Sequence, residues 1–173
     1  MANKQALREL QTRLADRLQA ARTQVRAQSW LAVECSGRGF LLPLKEAGEI
    51  FALAPIVAVP YAHPWFLGVA NLRGHLHGVV DLAAFLGVKT AEGGRDQSRL
   101  VGFNQALDLN CVLLVDRLSG LRSETELTRE PDARDQARPA FVGARLRDAS
   151  GRLWQELVLS ALATDEAFLK IVG

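Results

Sequence analysis

Two cysteines and three histidines carry the most versatile chemistry in this 173-residue chain, and their positions favour structural roles. Cys35 and Cys111 each lie in an apolar run, which is typical of reduced, buried thiols that pack as small hydrophobic side chains. No spacing pattern supports a disulfide between them. His75 and His77 are two residues apart in a predicted strand, so both project to one face and would supply half of a zinc site. Because no further ligand lies near them in the sequence, we expect no metal and no cofactor.

Two aspartates are candidates for acid–base catalysis, since Asp81 and Asp116 each end an aliphatic run. Paired carboxylates do such work only where they meet in space. An aspartate at such a position more commonly accepts hydrogen bonds from the backbone of the following turn or helix, and we expect this role. The chain also lacks a glycine-rich phosphate-binding loop and a serine nucleophile elbow. No enzymatic activity is therefore expected, and a hydrolase that pairs Cys35 or Cys111 with a histidine is a weaker alternative.

A charged pair at a predicted hairpin is of more interest. Residues 65–82 contain two apolar runs around a polar centre, which predicts strand, tight turn and strand. Gly74 can take a positive φ at the turn, and Asn71 can accept a hydrogen bond from nearby backbone. The turn presents Arg73 on a rigid tip that suits docking. Glu49 also lies between apolar runs, and charges in such contexts are usually paired. Our hypothesis is a Glu49–Arg73 ion pair that fixes the hairpin against a neighbouring strand; the alternative is two independent surface charges.

The elements that must position these residues are mostly short strands. From Trp30 onward, apolar runs alternate with turn residues, which is typical of an all-β barrel or sandwich. Three prolines favour an extended edge connection over residues 54–65, and a short helix over 82–87 and a C-terminal helix over 160–169 complete the prediction. Polar loops are expected at 88–98 and 128–139. The predicted strands are 30–35, 39–44, 48–53, 67–72, 75–80, 99–105, 110–116, 118–122, 140–147 and 153–159.

The N-terminal segment, residues 1–28, is distinct in pattern and charge. Apolar residues recur at steps of three and four over 5–27, which predicts one amphipathic helix. The chain carries a net charge of +2, and the segment holds six of its basic residues against two acidic ones. Packing on its own domain with extended arginines is one interpretation, and docking on a partner or an acidic surface is another. A membrane-surface helix is less favoured because the apolar face has no Trp or Phe. The apolar residues are Leu7, Leu10, Leu14, Leu18, Ala21 and Val25, and the basic ones are Lys4, Arg8, Arg13, Arg17, Arg22 and Arg26.

The bulk composition is that of an ordinary globular protein, with 49% hydrophobic and 23% charged residues. The N-terminus is too polar for a signal peptide, and no apolar run reaches the roughly 20 residues of a membrane span. We therefore expect a cytoplasmic location without direct membrane insertion.

Three motifs follow one another between residues 30 and 169. They are Phe40-Leu41-Leu42-Pro43-Leu44 followed by Glu49-Ile50; Val59-Pro60 followed by Pro64-Trp65-Phe66-Leu67-Gly68-Val69-Ala70-Asn71-Leu72-Arg73-Gly74 and Val79-Val80-Asp81-Leu82; and Val112-Leu113-Leu114-Val115-Asp116-Arg117-Leu118-Ser119-Gly120 followed by Phe141-Val142-Gly143 and Leu157-Val158-Leu159. In their order and spacing, these motifs resemble the CheW-like domain, the scaffold that couples chemoreceptors to a CheA-type histidine kinase.

The resemblance implies two intertwined five-stranded SH3-like barrels over a domain of residues 29–173, with an apolar seam between them. It implies a non-enzymatic adaptor that binds the cytoplasmic tip of a chemoreceptor and the regulatory domain of a CheA-type kinase, recruited to receptor arrays at the inner membrane. Coupling proteins of this general kind also serve type IV pilus systems, which drive twitching motility. The partner-binding residues it implies are Glu49 and Arg73, at or beside the receptor-facing groove, with Ala47, Gly68, Asn71, Leu72 and Gly74 around them.

Two positions depart from the family pattern. Gly78 stands where a proline is usual, and Ala47 replaces a larger aliphatic residue two positions before the glutamate. The smaller side chain implies a looser groove. A nucleic-acid-binding β-barrel with a basic N-terminal helix is the main functional alternative, although the few aromatic residues and the position of the basic groups along an apolar stripe disfavour it.

Overall fold

The computed structural model describes residues 2–24, 27–90, 95–132 and 137–173, and within these residues the chain forms eleven strands and four α-helices. The helices are α1 (Ala2–Gln24), α2 (Leu82–Phe85), α3 (Leu159–Leu162) and α4 (Glu166–Leu169). The strands are β1 (Ser29–Cys35), β2 (Arg38–Pro43), β3 (Ala47–Phe51), β4 (Phe66–Leu72), β5 (His75–Asp81), β6 (Arg99–Phe103), β7 (Cys111–Val115), β8 (Arg117–Ser123), β9 (Leu127–Arg129), β10 (Val142–Asp148) and β11 (Leu153–Leu157).

The strands form two sheets whose chain segments are nested. One sheet has the order β8-β1-β2-β11-β10-β9 and the other β3-β6-β7-β5-β4. The chain thus starts the first sheet, builds the whole of the second and returns to finish the first. Pairing is antiparallel except between β2 and β11 and between β5 and β7. The predicted fold of two SH3-like barrels is confirmed, and β9 adds a short sixth strand to the first sheet.

Central strands are buried on both faces, which explains their continuous apolar runs. In β1, Trp30 and Ala32 belong to a cluster inside the first sheet, whereas the alternate residues Leu31, Val33 and Cys35 belong to a cluster shared by both sheets. Strand β7 likewise divides its side chains between this shared cluster and a third cluster inside the second sheet. The shared cluster is the expected apolar seam, and it joins the two barrels through one packed core.

The two aspartates accept backbone hydrogen bonds in the structure. Asp81 Oδ1 accepts a 3.1 Å bond from Ala84 N and so caps α2, while its Oδ2 forms an ion pair with Lys89. Asp116 Oδ2 accepts a 2.7 Å bond from Ser36 N. The capping prediction is correct for Asp81. For Asp116 the predicted partner is wrong, because the bond reaches the β1–β2 turn and not the turn that follows in sequence.

Three further predictions need correction or comment. The C-terminal helix over 160–169 is divided into α3 and α4, because Asp165 starts a new helix by accepting a 3.0 Å bond from Phe168 N. The polar loop over 128–139 begins within β9, and parts of both predicted loops, residues 91–94 and 133–136, lie outside the described residues. Residues 54–65 run along an edge as expected, with isolated bridges from Val57 to Val69 and from Ala62 to Val172.

Helix α1 ends at Gln24, and residues 25 and 26 lie outside the described residues. Its four leucines, at positions 7, 10, 14 and 18, are 52–62% exposed. The interpretation in which this stripe packs on its own domain is therefore wrong for these side chains. Within the described residues, no helix combines the length and the apolar character needed to cross a bilayer.

Candidate functional site

The β4–β5 hairpin ends in a two-residue turn that presents Arg73 at its tip. Arg73 and Gly74 both have positive φ, 50° and 84°, which is the type I′ geometry that matches the twist of paired strands. Asn71 Oδ1 accepts a 2.9 Å hydrogen bond from Gly74 N and closes the turn. Both sequence predictions for this turn are confirmed. The arginine therefore projects from a corner whose backbone is fixed by the turn and by two strands.

Arg73 forms an ion pair with Glu49, as hypothesised. Its guanidinium carbon also lies 5.7 Å from the ring centroid of Phe51. Glu49 and Phe51 are two residues apart on β3 and so share one face of that strand. The Arg73 and Glu49 side chains are 73% and 45% exposed, so the pair contributes at most about 1 kcal/mol to stability. The pair mainly holds the exposed Arg73 side chain in one orientation beside Glu49 and Phe51.

The pair also joins the two edges of the second sheet. Strands β3 and β4 are at opposite ends of the order β3-β6-β7-β5-β4. The curvature of the barrel brings the β4–β5 tip against β3, and the Glu49–Arg73 contact crosses that closing gap. We call this region, Glu49, Phe51 and Arg73, the charged corner.

A cleft of about 600 Å³ opens beside the charged corner. Its wall mixes charged, imidazole, amide and apolar groups, and the loop before β7 supplies one side. Of the predicted partner-binding residues, Glu49, Leu72 and Arg73 line this cleft, whereas Ala47, Gly68, Asn71 and Gly74 do not. The lining residues are Gly48, Glu49, Phe51, Leu72, Arg73, His75, His77, Gly102, Phe103, Asn104, Gln105, Asp108, Leu109, Asn110 and Cys111.

Leu72 lines the cleft but is mostly covered by its own chain. It is only 5% exposed and packs in the cluster inside the second sheet. Buried and accessible positions alternate along β4, and Ala70 and Leu72 are both at buried positions. The exposed apolar side chain at the hairpin is Leu76, which is 67% exposed and lies opposite Asn71 in the register. The sequence could have indicated the exposure of Leu76. Residues directly paired across two antiparallel strands project to the same face, and the partner of Leu76 is the polar residue Asn71.

Gly68 has a structural role in the second sheet, and its partner contact stays a prediction. Its φ is 135°, and an added Cβ would lie 2.1 Å from Val57 O. Val57 and Val69 exchange backbone hydrogen bonds of 2.8 and 2.9 Å at this point. Glycine at this position therefore lets the 54–65 connection approach β4 closely at Val57.

The two departures from the family pattern have local explanations. Gly78 N donates a 3.0 Å hydrogen bond to Asn110 O, a bond that proline has no N–H to form. Ala47 is half-buried, pairs with Phe103 and packs against the seam. Glycine at position 78 thus ties β5 to the loop that forms one wall of the cleft.

Sequence reasoning missed Phe51, His75 and His77 as parts of this site. The ring centroids of Phe51 and His77 are 5.8 Å apart, and both histidines line the cleft. The signal for Phe51 was present, since it follows Glu49 by two residues in a predicted strand. Among the residues that the structure describes, no group of three or more His, Cys, Asp or Glu side chains is placed to hold a metal.

The cysteines are buried, free thiols, as expected. Burial raises the pKa of Cys35 and of Cys111 to about 12, so both are protonated at neutral pH. A thiol of this kind is a poor nucleophile. This finding disfavours the hydrolase alternative.

Comparison with known proteins agrees with the two-barrel fold. The CheW-like domain family profile matches residues 29–167. Protein PilI of Pseudomonas aeruginosa is 29% identical over 162 residues, covering 92% of this chain and 88% of PilI. The chemotaxis protein CheW of Rhizobium meliloti is 29% identical over 122 residues, covering 65% of this chain and 72% of that protein. The crystal structure of the scaffolding protein TtCheW from Thermoanaerobacter tengcongensis superimposes with a TM-score of 0.60 at 17% identity, covering 76% of this chain and 88% of TtCheW, and so shares the fold. The chain belongs to the CheW-like domain family.

Proposed function

We propose that this protein is a non-enzymatic adaptor that couples chemoreceptors to a CheA-type histidine kinase, and that the charged corner is part of its receptor-binding surface. Membership of the CheW-like family supports the adaptor role. The observation that carries the site is the exposed Glu49–Arg73 pair at the mouth of a cleft, held by a closed hairpin. Binding energy at such surfaces is concentrated in a few central residues, and arginine is prominent among them.

The mechanism requires no chemical step. A receptor tip and a kinase regulatory domain that contact one rigid body share its position, so a change in one is transmitted as a bias on the other. The shared apolar seam supplies that rigidity, since both barrels pack into one core. Arg73 sets the register of the receptor tip, and Leu76 provides apolar contact beside it.

We further propose that the pathway is a type IV pilus chemosensory system that controls twitching motility. The similarity to PilI over most of both chains supports this assignment. In this setting the protein is recruited to receptor arrays at the inner membrane by its partners.

A reconstituted assay with the cognate receptor and kinase tests the receptor site. Arg73→Glu places two acidic groups side by side at the charged corner, and we expect receptor-dependent kinase stimulation to fall by about tenfold. The matched control is Arg38→Glu, because Arg38 is exposed and follows the β1–β2 turn in the first sheet. We expect that control to retain full stimulation.

The double variant Glu49→Arg with Arg73→Glu separates two roles of the pair. If the pair acts by fixing the corner, exchanging the charges restores part of the stimulation. If Arg73 instead binds an acidic receptor group directly, the double variant stays inactive while remaining folded. Unchanged stimulation by Arg73→Glu, with the kinase regulatory domain bound normally, would contradict the proposed site.

A further inference from the structure

Helix α1 carries an exposed apolar stripe that the proposed receptor site does not use. We call it the leucine stripe: Leu7, Leu10, Leu14 and Leu18, with exposures of 58%, 56%, 52% and 62%. Leucines spaced along one helix face normally pack against something. The leucine stripe is therefore a surface prepared for contact with another molecule.

The shape of the stripe indicates a helix as the occupant. Steps of three, four and four residues keep the four leucines within about 80° of the helix circumference. A helix that packs on a globular domain generally has an apolar face at least about 100° wide, and a narrower stripe is typical of a coiled-coil seam. The face also has no aromatic residue, whereas helices that lie in a membrane surface usually insert Trp or Phe. These features favour a single partner helix over a sheet or a lipid surface.

The charges beside the stripe determine which helix fits. Arg13 and Arg17 lie on one side of it and Arg8 on the other, and all three are exposed. A second copy of α1 would bring arginine against arginine whether the two helices ran parallel or antiparallel. Glu9 and Asp16 lie on the opposite side of the helix and do not relieve this repulsion. Charge complementarity therefore requires a partner with acidic residues beside its own apolar stripe.

We propose that α1 forms a two-helix coiled coil with a partner protein whose helix carries an apolar stripe flanked by Asp and Glu. None of the residues of the leucine stripe belongs to the charged corner, so α1 would be an additional point of assembly. The similarity to PilI covers 92% of the chain. Residues 29–173 make up a smaller share of the chain, so the similarity extends into the N-terminal segment. The family profile, in contrast, begins at residue 29.

Two designed helical peptides test the proposal on the full-length protein. Both carry the same leucine stripe, and one has glutamates and the other lysines at the flanking positions. Calorimetric titration should give at least about tenfold tighter binding for the glutamate peptide, and this preference should weaken as salt is raised. Leu10→Gln with Leu14→Gln should abolish binding, while the matched variant Glu9→Gln with Asp16→Asn, on the opposite face, should bind as the wild type does.

Several outcomes would overturn the proposal. Equal binding of both peptides would remove the charge argument, and binding that survives Leu10→Gln with Leu14→Gln would remove the stripe. Sedimentation with phosphatidylglycerol vesicles that depends on the stripe, without preference for the glutamate peptide, would assign the face to a membrane. A stripe-dependent dimer in sedimentation equilibrium would assign it to a second copy. Circular dichroism and thermal unfolding confirm that each variant is folded.

Discussion

Replacement of Glu34 by glutamine is expected to destabilise the protein in a strongly pH-dependent way. The Glu34 carboxylate on β1 accepts hydrogen bonds from Arg117 at 2.6 Å, Ser119 at 2.7 Å and Arg152 at 2.7 Å. Arg117 and Ser119 belong to β8, and Arg152 immediately precedes β11. One carboxylate thus connects three segments of the first sheet that are far apart in sequence.

The magnitude follows from the pKa of this carboxyl group. Burial by itself raises the pKa of Glu34, but the hydrogen bonds from Arg117, Ser119 and Arg152 outweigh it and lower the pKa from 4.5 to about 2. That difference corresponds to roughly 3 kcal/mol of stabilisation by the ionised form. Because both arginines are partly exposed, solvent screening reduces the expected value to about 2 kcal/mol.

The sign of the pH dependence is fixed, since the pKa is lowered in the folded state. The stabilisation is fully present above about pH 4.5 and is lost as the pH falls towards about 2. Urea unfolding of the wild type and Glu34→Gln should therefore differ by about 2 kcal/mol at neutral pH, and the difference should shrink steadily in acid. Hydrogen bonds from Ser150 and Trp154 also lower the pKa of Asp148 to about 2, but both proteins share that effect and it cancels in the difference.

The control is Glu130→Gln, which removes the carboxylate that pairs with Arg147. The Glu130 side chain is more exposed than that of Glu34. We expect it to change the free energy of unfolding by less than about 1 kcal/mol. A Glu34→Gln variant within about 0.5 kcal/mol of wild type at neutral pH would refute the reasoning. A destabilisation that stays constant between neutral and acidic pH would show that packing, and not charge, holds these segments together.

Three further outcomes are expected. Gly68→Ala should lower the free energy of unfolding by at least about 2 kcal/mol in urea titration, because the new methyl group meets Val57 O at 2.1 Å; a neutral effect would contradict the close approach. Asp81→Ala should cost about 1–2 kcal/mol in the same assay, since it removes the cap of α2 and the ion pair with Lys89; no loss would show that the cap is redundant. Cys35 and Cys111 should react with iodoacetamide only at the rate of global unfolding, and rapid alkylation measured by mass spectrometry would contradict their burial and raised pKa.

Local patterns in the sequence were sufficient to predict most of the strands and the tight turn of the β4–β5 hairpin. Period-two alternation and continuous apolar runs mark strands that are buried on one or two faces. At the β1–β2 turn, Ser36 and Gly37 both have positive φ, and at the β4–β5 turn Arg73 and Gly74 do. In each case a glycine supplies the conformation that other residues adopt only at a cost. The hairpin geometry of the candidate site was therefore predictable from local chemistry.

Features that depend on distant parts of the chain were not predictable in this way. Strand β9 has three residues and exists because it pairs with β10. The partner of Asp116 is Ser36, 80 residues earlier, and no local pattern identifies such a bond. Leu72 is implied as a partner-binding residue by the family resemblance, and its burial inside the second sheet depends on packing that the local sequence does not show. Gly68 is implied at the groove by the same resemblance, and its close approach to Val57 depends on the tertiary contacts of the 54–65 connection.

The positions of Glu49 and Arg73 give their ion pair a structural consequence beyond surface charge. Glu49 lies on one edge strand of the second sheet, and Arg73 ends the hairpin of the other. A charge reversal at Arg73 therefore changes the potential at the proposed receptor-binding surface and removes the ion pair across the closing gap of the barrel in one step. Loss of coupling from Arg73→Glu alone does not separate these effects. The double variant Glu49→Arg with Arg73→Glu separates the two effects, because it rebuilds the ion pair between the edge strands with the charges exchanged. A partner that recognises Arg73 itself would still find the wrong charge at that position.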